Sequence, residues 1–264
     1  MADPWPGHRP GEGRPPPRRR VRRFFIALGA LCLLATLFAA LVLRGTIRLN
    51  TPSRADFPVW GVDVSHYQGD IDWETLAAQG VRFAYIKATE GSGHTDERFV
   101  ENAQNAALAG VPAGGYHFFS FESAGKTQAE NFLSALRDQP LSLPCAVDFE
   151  FYGEFFDHPP DVEATRAELR ALLEALEAET GRKPVLYATS RSYRMYLQGA
   201  FDDYPLWIRD VYLWPALTLP GGDWTFWQYS DKGLLDGYQG EEQYIDLNVF
   251  HGDEAAFARW LQDV

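Results

Sequence analysis

Polar and apolar positions divide this chain into three parts. Phe24 to Leu43 form twenty consecutive positions without a charge. As a helix such a run rises about 30 Å, the hydrocarbon thickness of a bilayer. From Val59 onward, apolar runs of strand length alternate with segments of helical period. Strands are predicted over 59–65, 81–89, 111–120, 144–151, 184–188, 206–211, 224–229 and 244–250, and helices over 72–79, 96–109, 124–137, 161–180, 190–197 and 253–261. The clearest helix is 161–180, where Leu169, Leu172, Leu173 and Leu176 make an i, i+3, i+4, i+7 stripe and Gly181 ends it. After the sixth strand the helices give way to loops containing Gly221-Gly222 and Gly233, Gly237 and Gly240. The pattern predicts an α/β fold: an irregular (β/α)8-type barrel with helices missing in the C-terminal half, preceded by one transmembrane helix.

The flanks of the apolar run set its orientation. Residues 1–23, rich in Pro, Gly and Arg, read as a disordered basic cytoplasmic tail, 24–43 as a transmembrane signal anchor, 44–57 as a linker, and 58–264 as the barrel domain. The Arg cluster before the run, against only Arg44 and Arg48 just after it, places the N-terminus in the cytoplasm. The expectation is a single-pass protein of the bacterial inner (cytoplasmic) membrane with its barrel periplasmic or extracellular. A cleaved signal peptide is the rival reading. Its apolar region is usually about 7 to 15 residues, and Phe38-Ala39-Ala40 is a weak cleavage site.

Charge sharpens this division. Residues 1–54 carry ten Arg against Asp3 and Glu12, a balance of +8, so with −12 for the whole chain the remainder carries −20. Such an acidic domain excludes nucleic acid held through its phosphates. The two cysteines, Cys32 in the apolar run and Cys145 at the fourth strand, are not placed to pair. The histidines are scattered without HExxH or Cys/His ligand spacing, which argues against a metal. Ser65 beside His66 and Asp63 lacks the Gly-x-Ser-x-Gly elbow of a hydrolase triad.

The chemistry concentrates at Asp148-Phe149-Glu150, where an apolar strand ends in two carboxylates separated by one aromatic. Alternation along a strand puts both acids on one face. Burial and mutual repulsion push at least one pKa upward, which suits general acid work near neutral pH. Asp63 in the first strand and Asp246 in the eighth are expected on the same rim, since those strands become neighbours when a barrel closes.

These stretches together resemble glycoside hydrolase family 25, the bacterial and phage type of muramidase or lysozyme. The matching pieces include Gly61-Val62-Asp63-Val64-Ser65-His66-Tyr67-Gln68, Phe83 to Gly91, Gly115-Tyr116-His117-Phe118-Phe119, Asp148-Phe149-Glu150, Leu206-Trp207-Ile208, Trp227-Gln228-Tyr229-Ser230 and Asp246-Leu247-Asn248-Val249-Phe250, in the family's order. The resemblance implies cleavage of the β-1,4 bond between N-acetylmuramic acid and N-acetylglucosamine in peptidoglycan glycan strands, without metal or other cofactor. It makes Glu150 the general acid/base, Asp148 its carboxylate partner, and Asp63 and Asp246 the other two catalytic acids. After Ile208 the family usually has Ala, whereas this chain reads Arg209-Asp210-Val211-Tyr212.

Acids two apart on one strand suit a route in which one protonates the leaving oxygen while the other holds the substrate's acetamido group; direct attack by a carboxylate is the alternative. Tyr67, Tyr116, Tyr187, Trp207 and Trp227, on or just after strand ends, are candidates for stacking on sugars. Two other classes compete: a membrane-tethered peptidoglycan-binding or scaffolding protein without turnover, and an amidase or peptidase acting on the stem peptide.

Overall fold

The structure, a computed structural model, describes residues 18–219 and 221–263. Most of the basic tail therefore lies outside the described residues. The chain forms two units, one ending at Arg48 and the other running from Leu49. In the first, helix α1 spans Arg18–Leu43, so it begins six residues before the uncharged run. Its apolar side chains, such as Phe24, Leu33 and Leu34, are exposed. A helix of this length and composition fits either a membrane span or a signal sequence.

The second unit is a closed eight-stranded barrel. Its strands are β1 (Trp60–Val64), β2 (Val81–Glu90), β3 (Ala113–Phe118), β4 (Ala146–Phe149), β5 (Val185–Thr189), β6 (Leu206–Arg209), β7 (Phe226–Gly233) and β8 (Ile245–Phe250). Neighbours from β1 to β7 pair in parallel. Strand β8 runs antiparallel to both β7 and β1 and closes the ring. The reason lies in the connection: residues 234–244 carry only the short strand Tyr238–Gln239, which pairs with Asp70–Ile71, and no crossover helix. Without a crossover helix the chain returns directly, as antiparallel strands do.

The barrel's helices of six residues or more are α2 (Trp73–Ala78), α3 (Phe99–Leu108), α4 (Gly125–Leu136), α5 (Val162–Thr180) and α6 (Glu254–Asp263), and a single turn, Pro215–Thr218, lies between β6 and β7. Asp161 caps α5 by accepting from Ala164 N–H at 2.9 Å, and Gly181 ends it at φ 70°. The predicted leucine stripe is fully buried. Helix α4 approaches α5 so closely that a Cβ on Gly125 would collide with the Glu168 carbonyl. After β5 the chain makes one helical turn, Ser190–Ser192, and a π-turn, Tyr193–Leu197.

Strand alternation sorts side chains into two cores. Val62, Ala84, Ile86, Val147, Phe149 and Ile208 face the helices. Phe83, Tyr85, Ala146, Tyr187, Trp207, Phe226 and Phe250 fill the barrel. Phe257 and Trp260 of α6 pack on Phe226 and Phe250 and plug its lower end. Above them Tyr85 stacks on Trp207 at 4.7 Å, and Tyr187 meets the same indole edge-on at 4.8 Å. The barrel is filled by a packed apolar column, with a cleft at its upper rim.

Where late helices are missing, aromatic rings cover the outer face instead. Phe57, Trp214 and Trp224 surround Trp227, and Trp224 stacks on His251 at 4.2 Å. The stretch read as linker joins this layer. Asn50 is fully buried and donates from Nδ2 to the carbonyls of Asp210 and Tyr229, both at 3.0 Å. The domain thus starts at Leu49, before the boundary at 58 expected from composition.

Candidate active site

Three strands bring the four acids to the upper rim. Asp63 is the penultimate residue of β1, Asp148 belongs to β4, and Glu150 follows that strand directly. Asp246 is the second residue of β8, and it reaches the same rim because β8 runs the other way; its Cα partner is Asp63. All four line one cleft of about 280 Å³, together with Tyr67, Tyr116 and Tyr187.

Beneath the acids lies a layer of buried amides. Asn248 donates to Asp63 Oδ2 at 2.7 Å and accepts from Trp207 Nε1 at 2.8 Å. Gln228 donates from Nε2 to Asp63 Oδ2 at 2.9 Å and to Asp246 Oδ2 at 3.1 Å, and accepts from the Tyr187 hydroxyl at 3.0 Å. Gln228 and Asn248 are Cα partners across β7 and β8. Each amide is fixed from below by an aromatic donor and so presents its N–H groups upward to carboxylate oxygens.

Burial raises the pKa of every acid in this layer, because the charged form loses water. For Asp63 the hydrogen bonds from Asn248 and Gln228 oppose that rise. Asp246 stands well above the usual carboxylate range through burial and then the charge of Asp63. Asp148 is likewise well above it, through burial, then Glu150 and Asp63, and its Oδ1 is buried without a hydrogen-bond partner. Glu150 is raised by burial, while Arg209 pulls it down. Burial also pushes the Tyr116 and Tyr187 phenols well above their usual range. Every acid of the layer is thus held above its usual range, in the direction that favours the protonated form.

The aromatic candidates separate by strand parity. Tyr116 and Tyr187 point into the barrel and wall the cleft, and Tyr67 stands on its lip, 44% exposed, against the His66 ring at 4.1 Å. Trp207 does not reach the cleft: it is buried below the amides, tied to Asn248. Trp227 is turned outward, fully buried, with Nε1 donating to the Asp210 carbonyl at 2.9 Å. Neither indole is available to stack on a sugar, which corrects the expectation from their place near strand ends. Ser65 is a capping residue, accepting from Tyr67 N–H at 3.3 Å, while the His66 ring bonds Asp96 at 2.7 Å. That serine is no nucleophile.

Gln228, Asn248, Arg209 and Asp231 were missed as site residues. The signal for the amides was parity: with Phe226 and Phe250 inside, Gln228 and Asn248 two residues away share their face.

Comparison with known proteins agrees with this geometry. The sequence matches Glycosyl hydrolases family 25 over residues 62–238. A family 25 glycosyl hydrolase from Bacillus anthracis superposes with TM-score 0.74 at 44% identity, covering 80% of this chain and 96% of that one. The bacterial lysozyme from Streptomyces coelicolor gives TM-score 0.67 at 32% identity, covering 78% and 97%. Lysozyme M1 of Streptomyces globisporus is 35% identical over 215 residues, 75% of this chain and 69% of that protein. The chain belongs to glycoside hydrolase family 25 and is a glycoside hydrolase.

Proposed function

We propose that this protein is a membrane-anchored muramidase that cleaves the β-1,4 bond between N-acetylmuramic acid and N-acetylglucosamine in peptidoglycan, with Glu150 as proton donor and Asp148 as its partner. The observation that carries the reading is the Asp148–Glu150 pair at the mouth of a buried acidic layer, with Asp148 Oδ1 unpartnered. Relatives named lysozyme, among them the autolytic lysozyme of Clostridium acetobutylicum, support the substrate.

In the first step Glu150 gives its proton to the glycosidic oxygen as the C1–O bond breaks. The carbonyl oxygen of the sugar's own acetamido group closes onto C1, and Asp148 Oδ1 accepts the amide N–H that gains positive charge. In the second step the Glu150 carboxylate takes a proton from water, and the resulting hydroxide attacks C1 and reopens the ring. Two displacements at C1 retain its configuration. Asp63 and Asp246 line the sugar-binding floor, while Tyr116, Tyr187 and Tyr67 offer rings to its faces.

Helix α1 is read as an uncleaved anchor in the inner membrane with the N-terminus cytoplasmic, supported by its uncharged length and the Arg residues preceding it. The decisive measurement is release of reducing ends from purified sacculi. Wild type should yield muramic acid at the new reducing ends, and Glu150→Gln should release none while still binding sacculi. A wild type that binds without release makes this a scaffold instead, and an inverted first product excludes the acetamido route.

A further inference from the structure

Arg209 is built into the wall of the cleft. It ends β6, whose Trp207 points into the barrel and whose Ile208 points out, so Arg209 points in. The strand registers give its level. Phe149, Ala188 and Ile208 are successive partners across β4, β5 and β6. One step higher come Glu150, Thr189 and Arg209, with Thr189 paired to Arg209. Thr189 between them is short, and its hydroxyl is turned to cap the following helical turn by accepting from Ser192 N–H. The Arg209 guanidinium and the Glu150 carboxyl therefore belong to one layer and line the same cleft.

Arg209 is also fixed. Its Nη2 donates to Asp231 Oδ2 at 2.9 Å, and both residues are about one-third exposed on the cleft wall. Among the described residues lining the cleft, the positive charges are Arg209 and Lys87. Lys87 is bound to Glu90 at 2.7 Å, lies over the Phe118 ring, and acts on Asp148. Arg209 acts on all four acids, pulling down Asp63, Asp148 and Asp246 as well, and for Glu150 it is the charge that opposes burial.

We propose that Arg209, held by Asp231, is a positioning residue for the proton donor: it orients the Glu150 carboxyl and supplies the positive charge against which Glu150 releases its proton. The proposal rests on Glu150 being that donor. The need is electrostatic. After the first step Glu150 is an anion among Asp63 from β1, Asp148 from its own strand and Asp246 from β8, with Asp231 from β7, Glu90 from β2 and the Glu242 loop beyond. Tyr116 and Tyr187, with phenols far from ionising, bring no charge from β3 and β5. Without Arg209, the positive charge left among the described residues lining the cleft is Lys87, which is already bound to Glu90.

The test is the pH profile of initial reducing-end release from sub-saturating sacculi, using the full-length protein in detergent. Glu150 must be protonated to act, so its ionisation sets the alkaline limb. Arg209→Gln should move that limb upward by roughly one pH unit or more, as loss of a nearby opposite charge does. It should lower the plateau about tenfold or more. Arg209→Lys should restore the limb, and Asp231→Asn, which removes a negative charge and leaves Arg209 uncompensated, should move it downward. An Arg209→Gln protein that is folded by thermal denaturation and slower, but with its limb unmoved, overturns the proposal. If that variant does not fold, Asp231→Asn decides, and an unmoved limb there overturns it equally. Glu150→Gln separates the two failures: activity retained in it sinks the donor assignment, whereas an inactive Glu150→Gln beside an unmoved Arg209→Gln limb sinks only the role of Arg209.

Discussion

Asp63 and Asp246 face each other as direct partners across the antiparallel closure of the barrel, and one amide, Gln228, donates to both. Two buried carboxylates that share one donor titrate as a unit and do not both ionise readily. The further bond from Asn248 opposes the rise at Asp63, while Asp246 is pushed well above the usual range, which makes Asp246 the better holder of a shared proton. A carboxyl whose folded pKa lies above its unfolded value costs stability as pH rises from the ordinary carboxylate range toward the raised one, about 1.4 kcal/mol for each pH unit between them. Asp246→Asn removes that cost and keeps the shape. Urea denaturation should show the variant gaining on wild type between pH 5 and pH 8 while its activity falls; a constant difference across that range would contradict the shared proton.

The same closure shows what the sequence could and could not reveal. The eight strands and the helices up to α5 were legible because apolar runs and the leucine stripe carry their own period. The direction of β8 was not, since a six-residue strand reads alike in either direction and only its loop to β7 decides. Asp246 was expected on the rim, yet it arrives there from the start of its strand and the other acids from the ends of theirs. The indoles failed differently. Trp207 and Trp227 were chosen for their place near strand ends, but a barrel interior is sorted by parity and depth, and Trp207 fails on depth while Trp227 fails on parity.

That sorting gives a paired prediction. Trp227→Phe loses the bond to the Asp210 carbonyl and leaves a gap among Phe57, Trp214 and Trp224, so it should cost roughly 1 to 3 kcal/mol of stability with KM for sacculi unchanged. Tyr67→Ala, on the exposed lip, should do the reverse: a melting temperature within a degree or two of wild type and KM raised several-fold. Melting temperatures and saturation curves for the two variants side by side would check it. An altered KM with Trp227→Phe would return that indole to the cleft.

His117 supplies an acid-side dependence. It is fully buried in β3, with Nδ1 accepting from the Thr89 hydroxyl at 2.8 Å and Nε2 donating to Gln128 Oε1 at 3.0 Å, which fixes the neutral ring. Burial lowers its pKa from the usual 6.5 to about 4. The unfolded chain therefore binds a proton that the folded one refuses. Stability is fully present above pH 6.5 and falls as pH drops toward 4, by up to roughly 3 kcal/mol. Replacing His117 with Asn should lower stability at pH 7 yet flatten this slope, read from urea midpoints between pH 4 and pH 7.5. An unchanged slope would place the acid sensitivity elsewhere.

The segment before β1 offers the last test, because from Leu49 it belongs to the barrel unit. Asn50 forks between the Asp210 and Tyr229 carbonyls, immediately behind Arg209 and just before Asp231, and Phe57 packs on Trp214 and Trp224. A fragment starting at Leu49 keeps these contacts; one starting at Pro58, the boundary that composition favours, loses them. Removing Asn50 strips two carbonyls of a buried donor, and removing Phe57 bares the indole layer, losses of about 1 to 3 kcal/mol each. The longer fragment should melt with the full-length barrel and the shorter one several degrees lower, with Asn50→Ala in the longer fragment reproducing part of that drop. Equal melting temperatures for both fragments would mean the clasp is ornamental to the fold. If the shorter fragment also loses turnover beyond its loss of stability, the clasp helps hold β6 and β7 at the spacing where Arg209 meets Asp231.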